Sequence, residues 1–458
     1  MQNVLQDRRG HIQLLSIAVP LILANITTPL LGLVDTAILG RMDGLHFLAG
    51  AAIGSLILTQ LYWVCGFVKM SMTGLSAQSR AKDILDRTRT LIQGCALALV
   101  LGLLILLLQA PFLNAGLWFA QVEPEVVQST QQYFYVRVWG APAALVNLAI
   151  IGWLIGQQKS RLILALQVAV NFINIVASYS FVYLFDMGVE GVAAGTLVAE
   201  YSMTLLALYW INRHYLRLTA VKSWFYLHAL APLLSLNSDM LVRNLALQFT
   251  LAFVTLKGAQ FGTQAAAINA VLMQFFALIA LGLDGIANAV EALVGEVKGK
   301  NDSERSLADA KQALLLEDVQ KRLAQQHSLR HQVLLGIIWS SITALFYTLI
   351  FWLFVESILS LLTNQQVLID ATMNYVWLIL LLPIVAHWCF LFDGVYVGLT
   401  QGKTMRNNML VSTLIVFLPS YFFLSEYGNQ ALWMALLGFL AARGLGLGVH
   451  FYTVVLRR

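Results

Sequence analysis

TPLLGLVDTAILG, Thr28–Gly40, places one carboxylate, Asp35, inside an apolar run that begins near Gln13. Around it stand Pro29, Gly32 and two small hydroxyl residues, Thr28 and Thr36. An Asp at the centre of a membrane helix costs roughly 2.5–3.5 kcal/mol on insertion scales, and such residues face protein or water rather than lipid. Thr28 lies seven residues before Asp35, about 20° away around a helix, and Gly32 lies three before it. That narrow polar stripe makes Asp35 a candidate functional residue. A structural carboxylate paired with a buried amide or arginine is the alternative.

The whole chain agrees with a membrane setting. Of its 458 residues 59% are hydrophobic and 11% charged, against about 25% charged in an ordinary soluble domain. The apolar run after the polar first twelve residues is too long for a signal-peptide core, and no small-residue cleavage site follows it. It reads as the first membrane helix. Cys65, Cys95 and Cys389 lie in apolar segments without paired spacing, which supports neither a disulfide framework nor a zinc site. There is no Gly-rich phosphate loop, no Ser-His-Asp signature and no metal-ligand cluster. The expectation is a chain that is not an enzyme and needs no cofactor or metal. Any uphill transport would draw on an ion gradient.

Segments of about 20 apolar residues number twelve: 13–39, 46–69, 91–113, 132–156, 162–185, 190–211, 229–256, 263–297, 332–356, 367–400, 406–425 and 430–455. Twenty-two of the 28 Lys and Arg fall in alternate loops on one side, and only Arg41 and Lys257 on the other. The positive-inside rule then puts both termini in the cytoplasm. Lys69, Arg137, Arg243 and Arg443 fall within helices. The formal charge of +5 thus belongs to membrane topology and implies no nucleic-acid partner.

The two halves repeat. Gly40 and Ala49 recur 218 residues on as Gly258 and Ala267; Pro142, Gly152 and Gly156 recur as Pro383, Gly394 and Gly398. The larger second offset traces to a charged insertion, 301–331, whose Leu307, Leu314, Leu315 and Leu323 suggest a surface amphipathic helix. The fold expected is an all-α polytopic membrane protein. It has twelve transmembrane helices in two six-helix lobes, related by a pseudo-two-fold axis along the membrane normal. Residues 1–211 form the N-lobe, 212–228 a cytoplasmic linker, and 229–458 the C-lobe.

Other polar residues lie inside these helices. Gln167, Asn171, Asn174 and Ser178 share one face of the fifth. They form either interhelical hydrogen-bonded glue or, as the sharper reading, a hydrated cavity shared with Asp35. Asp239 and Arg243 stand at i,i+4 on the seventh helix, the spacing of an intrahelical ion pair. Glu200 lies between Thr196 and Thr204 on the sixth, with Arg443 as its approximate repeat mate on the twelfth. Asp284 and Glu291 share a face of the eighth, and Asp393 is deep in the tenth. Structure is favoured over ion coupling for these acids, and His387 reads as a core histidine.

PLLGLVDTAILG resembles the first-helix signature of the multidrug and toxic compound extrusion (MATE) family, in its DinF (DNA-damage-inducible protein F) branch. The stretches 258–295 and 391–407, the latter LFDGVYVGLTQGKTMRN, resemble that branch's seventh-to-eighth and tenth helices. The resemblance implies a secondary antiporter of the bacterial inner membrane. It would work as a monomer in the lipid bilayer and exchange a small organic compound, cationic or amphipathic, for H+ or Na+. It implies ion coupling at Asp35 and a helix bend at Pro20. The fifth-helix motif of the family reads Asn-x-x-x-Asp; here Asn174 is followed by Ser178. Asn174 carries over and the second acid does not, which favours H+ over Na+. Thr28, Asn171, Ser178 and Thr196 are the cavity candidates. Glu200, Asp239, Asp284 and Asp393 are secondary ionisable ones. Two rival functions remain: a flippase for a lipid-linked precursor, which would want a strongly cationic cleft, and a non-transporting receptor or scaffold.

Overall fold

The computed structural model describes residues 2–42, 44–215, 221–310 and 315–456; the side chains of 2–3, 28, 30–31, 221–222, 227 and 305–327 lie outside the described residues. The amphipathic face expected from Leu307, Leu314, Leu315 and Leu323 falls among these. The described residues contain helices and no strand. The long helices are α1 (Arg8–Leu39), α2 (Leu45–Ser79), α3 (Ile84–Leu107), α4 (Pro124–Gly156), α5 (Ser160–Tyr183) and α6 (Gly188–His214). They continue as α7 (Leu227–Gln260), α8 (Thr263–Ala310), α9 (Leu315–Leu362), α10 (Val376–Gly398), α11 (402–423) and α12 (Asn429–Val455). Eleven of them are long and apolar enough, within the described residues, to cross a membrane. The twelfth, α11, passes through a π-helical stretch at Ser412–Phe417. Pro419 lies just past that stretch and offers no N–H to the preceding turn, a common origin of such local widening.

A proline explains one other departure from regular helix. In α4 the run changes to a 3-10 turn at Val138–Gly140. Pro142 has no N–H for the Val138 carbonyl, and the Ala141 N–H bonds that carbonyl instead. The segment read from sequence as one helix, 367–400, is two. Gln366–Met373 is separate, and α10 begins at Val376.

The residues group into two compact units, Leu23–Ser235 on the one hand and Met1–Ile22 with Leu236–Arg458 on the other. The division runs through α1, two residues beyond Pro20. The helix itself continues through Pro20 and Pro29 to Leu39. In the Leu23–Ser235 unit, Ile38 and Leu39 of α1 pack with Tyr133, Val182, Val189 and Val192. The other unit's core is built on aromatics. Phe275 meets Phe351 edge to face at 5.0 Å between ring centres, and Phe417 meets Phe439 at 6.1 Å; such pairs add about 0.5–1.5 kcal/mol beyond their buried area.

The glycines of the repeat do the same work twice. A Cβ on Gly152 or Gly156 would run into the α2 backbone at Lys69, Thr73 and Ala77. A Cβ on Gly394 or Gly398 would run into the α8 backbone at Ala287, Glu291 and Gly295. Small residues let membrane helices approach backbone to backbone. The duplication legible in sequence is a duplication of this contact.

The N-terminus is strapped to α9 within its own unit. A helical turn, Gln2–Leu5, precedes Asp7. Asp7 accepts from the Gly10 N–H at 3.0 Å, as the cap of α1, and from His331 Nε2 at 2.8 Å. His11 accepts at Nδ1 from the Trp339 indole N–H (2.9 Å) and donates from Nε2 to the Val4 carbonyl (3.1 Å). Both ring nitrogens are thus engaged as in the neutral imidazole.

Candidate functional site

Three helices of the Leu23–Ser235 unit converge on Asp35. Thr196 Oγ1, on α6, lies 3.2 Å from Asp35 Oδ2 and 3.2 Å from the Val192 carbonyl one turn back. Asn174 Nδ2, on α5, donates to Thr196 Oγ1 at 3.0 Å. Asn174 and Ser178 are fully buried, and Thr196 is 7% exposed. Ser178 also faces the Asp35 carboxylate, outside hydrogen-bond geometry. Gly195 makes this meeting of α5 and α6 possible, because a Cβ there would press on the Ser178 backbone.

The α5 stripe divides its labour. Asn174 holds the Thr196 hydroxyl, and Ser178 faces the carboxylate. Asn171, one turn earlier, donates from Nδ2 to the backbone carbonyl of Thr27 in α1 at 3.0 Å. The Thr28 side chain lies outside the described residues. Thr27 and Thr36 turn back on their own helix, donating to Ala24 O at 2.7 Å and Gly32 O at 2.8 Å.

Sequence reading passed over Arg137 as a site residue. Its guanidinium grips Glu200 in a fork, Nη1 to Oε2 at 2.8 Å and Nη2 to Oε1 at 2.6 Å. It lies 6.0 Å from the centre of the Tyr62 ring and is near enough to Asp35 to act on it through its charge. Glu200 follows Thr196 by one turn, so α6 carries both the hydroxyl on Asp35 and the carboxylate on Arg137. Gly140 leaves the room, since a Cβ there would strike both charged groups. The available signal was a lone arginine inside an apolar span.

The other unit pairs its charges differently from the sequence expectation. Asp239 and Arg243 do not form an i,i+4 pair. Asp239 accepts from Arg406 Nη1 at 2.7 Å, and Arg243 Nη2 reaches Asp393 Oδ2 of α10 at 2.5 Å. Arg443 of α12 bonds the same Asp393 oxygen. The i,i+4 spacing permits contact, but a facing helix that brings a second cation to Asp393 offers the buried charges a better arrangement. Asp284 is exposed on α8, and its charge acts on Arg443. His387 is buried beside Ser340, 3.3 Å from Nδ1, as a core histidine. The two units thus carry opposite polarity. The base stands on α4 and the acid on α6 in one; the acid stands on α10 and a base on α12 in the other. No group of three or more His, Cys, Asp or Glu suited to a metal ion occurs among the described residues.

The MatE family model matches residues 20–180 and 324–422, more than half of the chain. The chain belongs to the MatE family. Members of that family are transporters, not enzymes. This MatE protein is 36% identical over 436 residues to DNA damage-inducible protein F of Escherichia coli (strain K12), covering 94% of this chain and 90% of that one. It is 24% identical over 223 residues to multidrug resistance protein MdtK of Proteus mirabilis (strain HI4320), covering 46% and 47%. Its fold is similar to that of a crystal structure of MATE in the bent conformation. The TM-score is 0.83 at 17% identity, over 98% of this chain and 96% of that one.

Proposed function

We propose that this MatE protein is a secondary antiporter that exports organic compounds, cationic or amphipathic, in exchange for protons. The observation that carries the reading is the hydroxyl of Thr196 between two acceptors, Asp35 Oδ2 and the Val192 carbonyl, each 3.2 Å away. A threonine has one hydrogen to donate and two lone pairs. With Asp35 ionised, that hydrogen serves the carboxylate. With a proton on Asp35 Oδ2, the acid donates to Thr196, and the hydroxyl turns to Val192. Thr196 keeps the Asn174 amide as a donor in both states. Proton binding thus needs one rotation and strands no buried group. Loss of charge on Asp35 also changes what Arg137 and Glu200 face.

The names of the relatives above, one damage-inducible and one a multidrug resistance protein, favour export of foreign or toxic compounds. Loop charge favours an inner-membrane protein with both termini cytoplasmic. We read 1–211 as the N-lobe, 212–228 as the linker and 229–458 as the C-lobe of a monomer. A lipid-linked-precursor flippase is disfavoured because Arg137, Arg243 and Arg443 are each held by a carboxylate. Na+ is the second reading of the coupling ion. Asp35 Oδ1, Asn174 Oδ1 and Ser178 Oγ are buried without a hydrogen-bond partner among the described residues, and oxygen atoms of this kind suit a hard cation.

The test uses purified protein in liposomes with H+ and Na+ gradients imposed separately. A fluorescent organic cation such as ethidium is the probe. Wild type accumulates it against its gradient on ΔpH, and Asp35→Asn does not. Uphill transport by Asp35→Asn on a proton gradient refutes coupling at Asp35. Transport driven by Na+ alone selects the second reading.

A further inference from the structure

Two grips hold α1 within the Leu23–Ser235 unit, and they differ in kind. At Asp35 the grip runs through a carboxylate, Thr196 and Asn174. It changes whenever the carboxylate gains or loses a proton. At Thr27 the grip is the Asn171 amide on a backbone carbonyl. Neither partner titrates, so this bond is indifferent to the coupling ion. The two points are eight residues apart, about 12 Å along a helix at 1.5 Å per residue.

The segment between them carries a proline and a glycine, the two residues that weaken a helix most. Pro29 supplies no N–H to the preceding turn. At Gly32 nothing among the described residues lies within 4 Å of where a Cβ would stand. Thr27 reinforces the helix on the near side of Pro29 by bonding back to Ala24 at 2.7 Å. The unit's share of α1 therefore consists of a pinned start, a middle weakened by Pro29 and Gly32, and a proton-sensitive end.

We propose that Asn171 is a positioning residue of the transport cycle, pinning α1 to α5 at the Thr27 carbonyl as the fixed point about which the Asp35 end of the helix moves. It acts through α1 rather than on the transported compound. The inference rests on the antiport reading above. Without the pin, protonation of Asp35 would let the outer part of α1 drift, and the proton step would no longer be tied to one displacement. Asn171 then serves coupling, while Asn174 serves the proton itself.

The experiment compares wild type, Asp35→Asn, Asn171→Leu and Asn171→Gln in liposomes, with ethidium as probe. Three quantities are read: proton uptake by the substrate-free protein, probe accumulated against its gradient on ΔpH, and the KM for downhill probe movement. Asn171→Leu removes the donor at similar size. It is expected to retain proton uptake and downhill KM, since Asp35, Thr196 and Asn174 are untouched, yet to lose at least tenfold of the uphill accumulation. Asn171→Gln keeps an amide donor and is expected to recover at least half of it. Asn171→Ser, too short to reach the carbonyl, makes the same comparison should the Leu variant fail to fold.

Full uphill accumulation by Asn171→Leu overturns the proposal. So does a raised KM with accumulation unchanged, which would make Asn171 a substrate contact. Parallel loss of proton uptake, KM and thermal stability, without rescue by Gln, would reduce it to interhelical glue. Asp35→Asn separates the two levels. If it still pumps on ΔpH, the antiport reading fails first. If it fails while Asn171→Leu pumps normally, only the present inference falls.

Discussion

Asp393→Asn removes the one carboxylate that two buried guanidiniums share. Arg243 is 4% exposed and Arg443 5%, so neither can turn to water when its counter-charge goes. Removing one member of a buried ion pair costs about 3–5 kcal/mol, because a charge is left uncompensated. The Asp284 charge still acts on Arg443 and the Asn244 side chain still accepts from Arg243, which places the expected loss at about 3–4 kcal/mol. At about 1.4 kcal/mol per factor of ten, the ratio of folded to unfolded protein falls roughly 10²–10³-fold. The assay is the fraction of detergent-solubilised, fluorescently tagged protein that stays monodisperse after heating. Asp393→Asn should lose its monodisperse peak several degrees below wild type. The triple variant Asp393→Leu/Arg243→Met/Arg443→Met should regain most of the loss, since apolar replacement of a buried charged triad is often neutral or stabilising. If Asp393→Asn melts with wild type, or the triple variant is worse than the single one, the charge accounting for this cluster is wrong.

Thr196→Val takes away the hydroxyl shared by Asp35 and Asn174; leaving buried polar groups unpaired costs about 1–3 kcal/mol. Proton-driven export should fall sharply, and Thr196→Ser should restore it in the same liposome assay. At the strap, the Gly10 backbone N–H, then the His331 imidazole, hold the Asp7 carboxyl below the usual carboxylate range. A depressed carboxylate stabilises the strap above its unfolded value near 3.8 and ceases to do so as pH falls through its lower folded value. Between pH 5 and 8 this group should therefore leave the strap unchanged. Asp7→Ala should loosen it at pH 7 by about 1 kcal/mol for the lost cap, read as faster amide exchange over residues 8–11.

Much of this was legible in one sequence because the membrane restricts the alternatives. Eleven of the twelve apolar runs correspond, among the described residues, to helices long and apolar enough to cross a membrane, since a lipid-exposed backbone must satisfy itself within each span. The Pro142-Gly152-Gly156 spacing and its later copy announced a duplicated close contact. Asp35 and the α5 stripe stood out because polar residues there are expensive. What stayed hidden was the choice of partner. Spacing on one helix suggested Asp239 with Arg243, and three-dimensional packing gave each a partner on another helix, 167 and 150 residues away. Asn171 and Asn174 share a face and a residue type, yet one serves a backbone carbonyl and the other a hydroxyl. Periodicity reports which way a side chain points and carries nothing about what waits there. Arg137 looked like a stray cation for the same reason.

The strap at the N-terminus also bears on how the protein is made. Asp7 and His331 are separated by 324 residues. At about 5–20 residues per second of synthesis, roughly 15–65 s pass between the appearance of the first and of the second. Through that interval the start of α1 exists without its receptor on α9, and the residues up to Ser235 are complete before the interval ends. The Leu23–Ser235 unit is contiguous in the chain and can settle as it emerges. The other unit is closed by its oldest segment, and so is finished last, by a piece that was synthesised first.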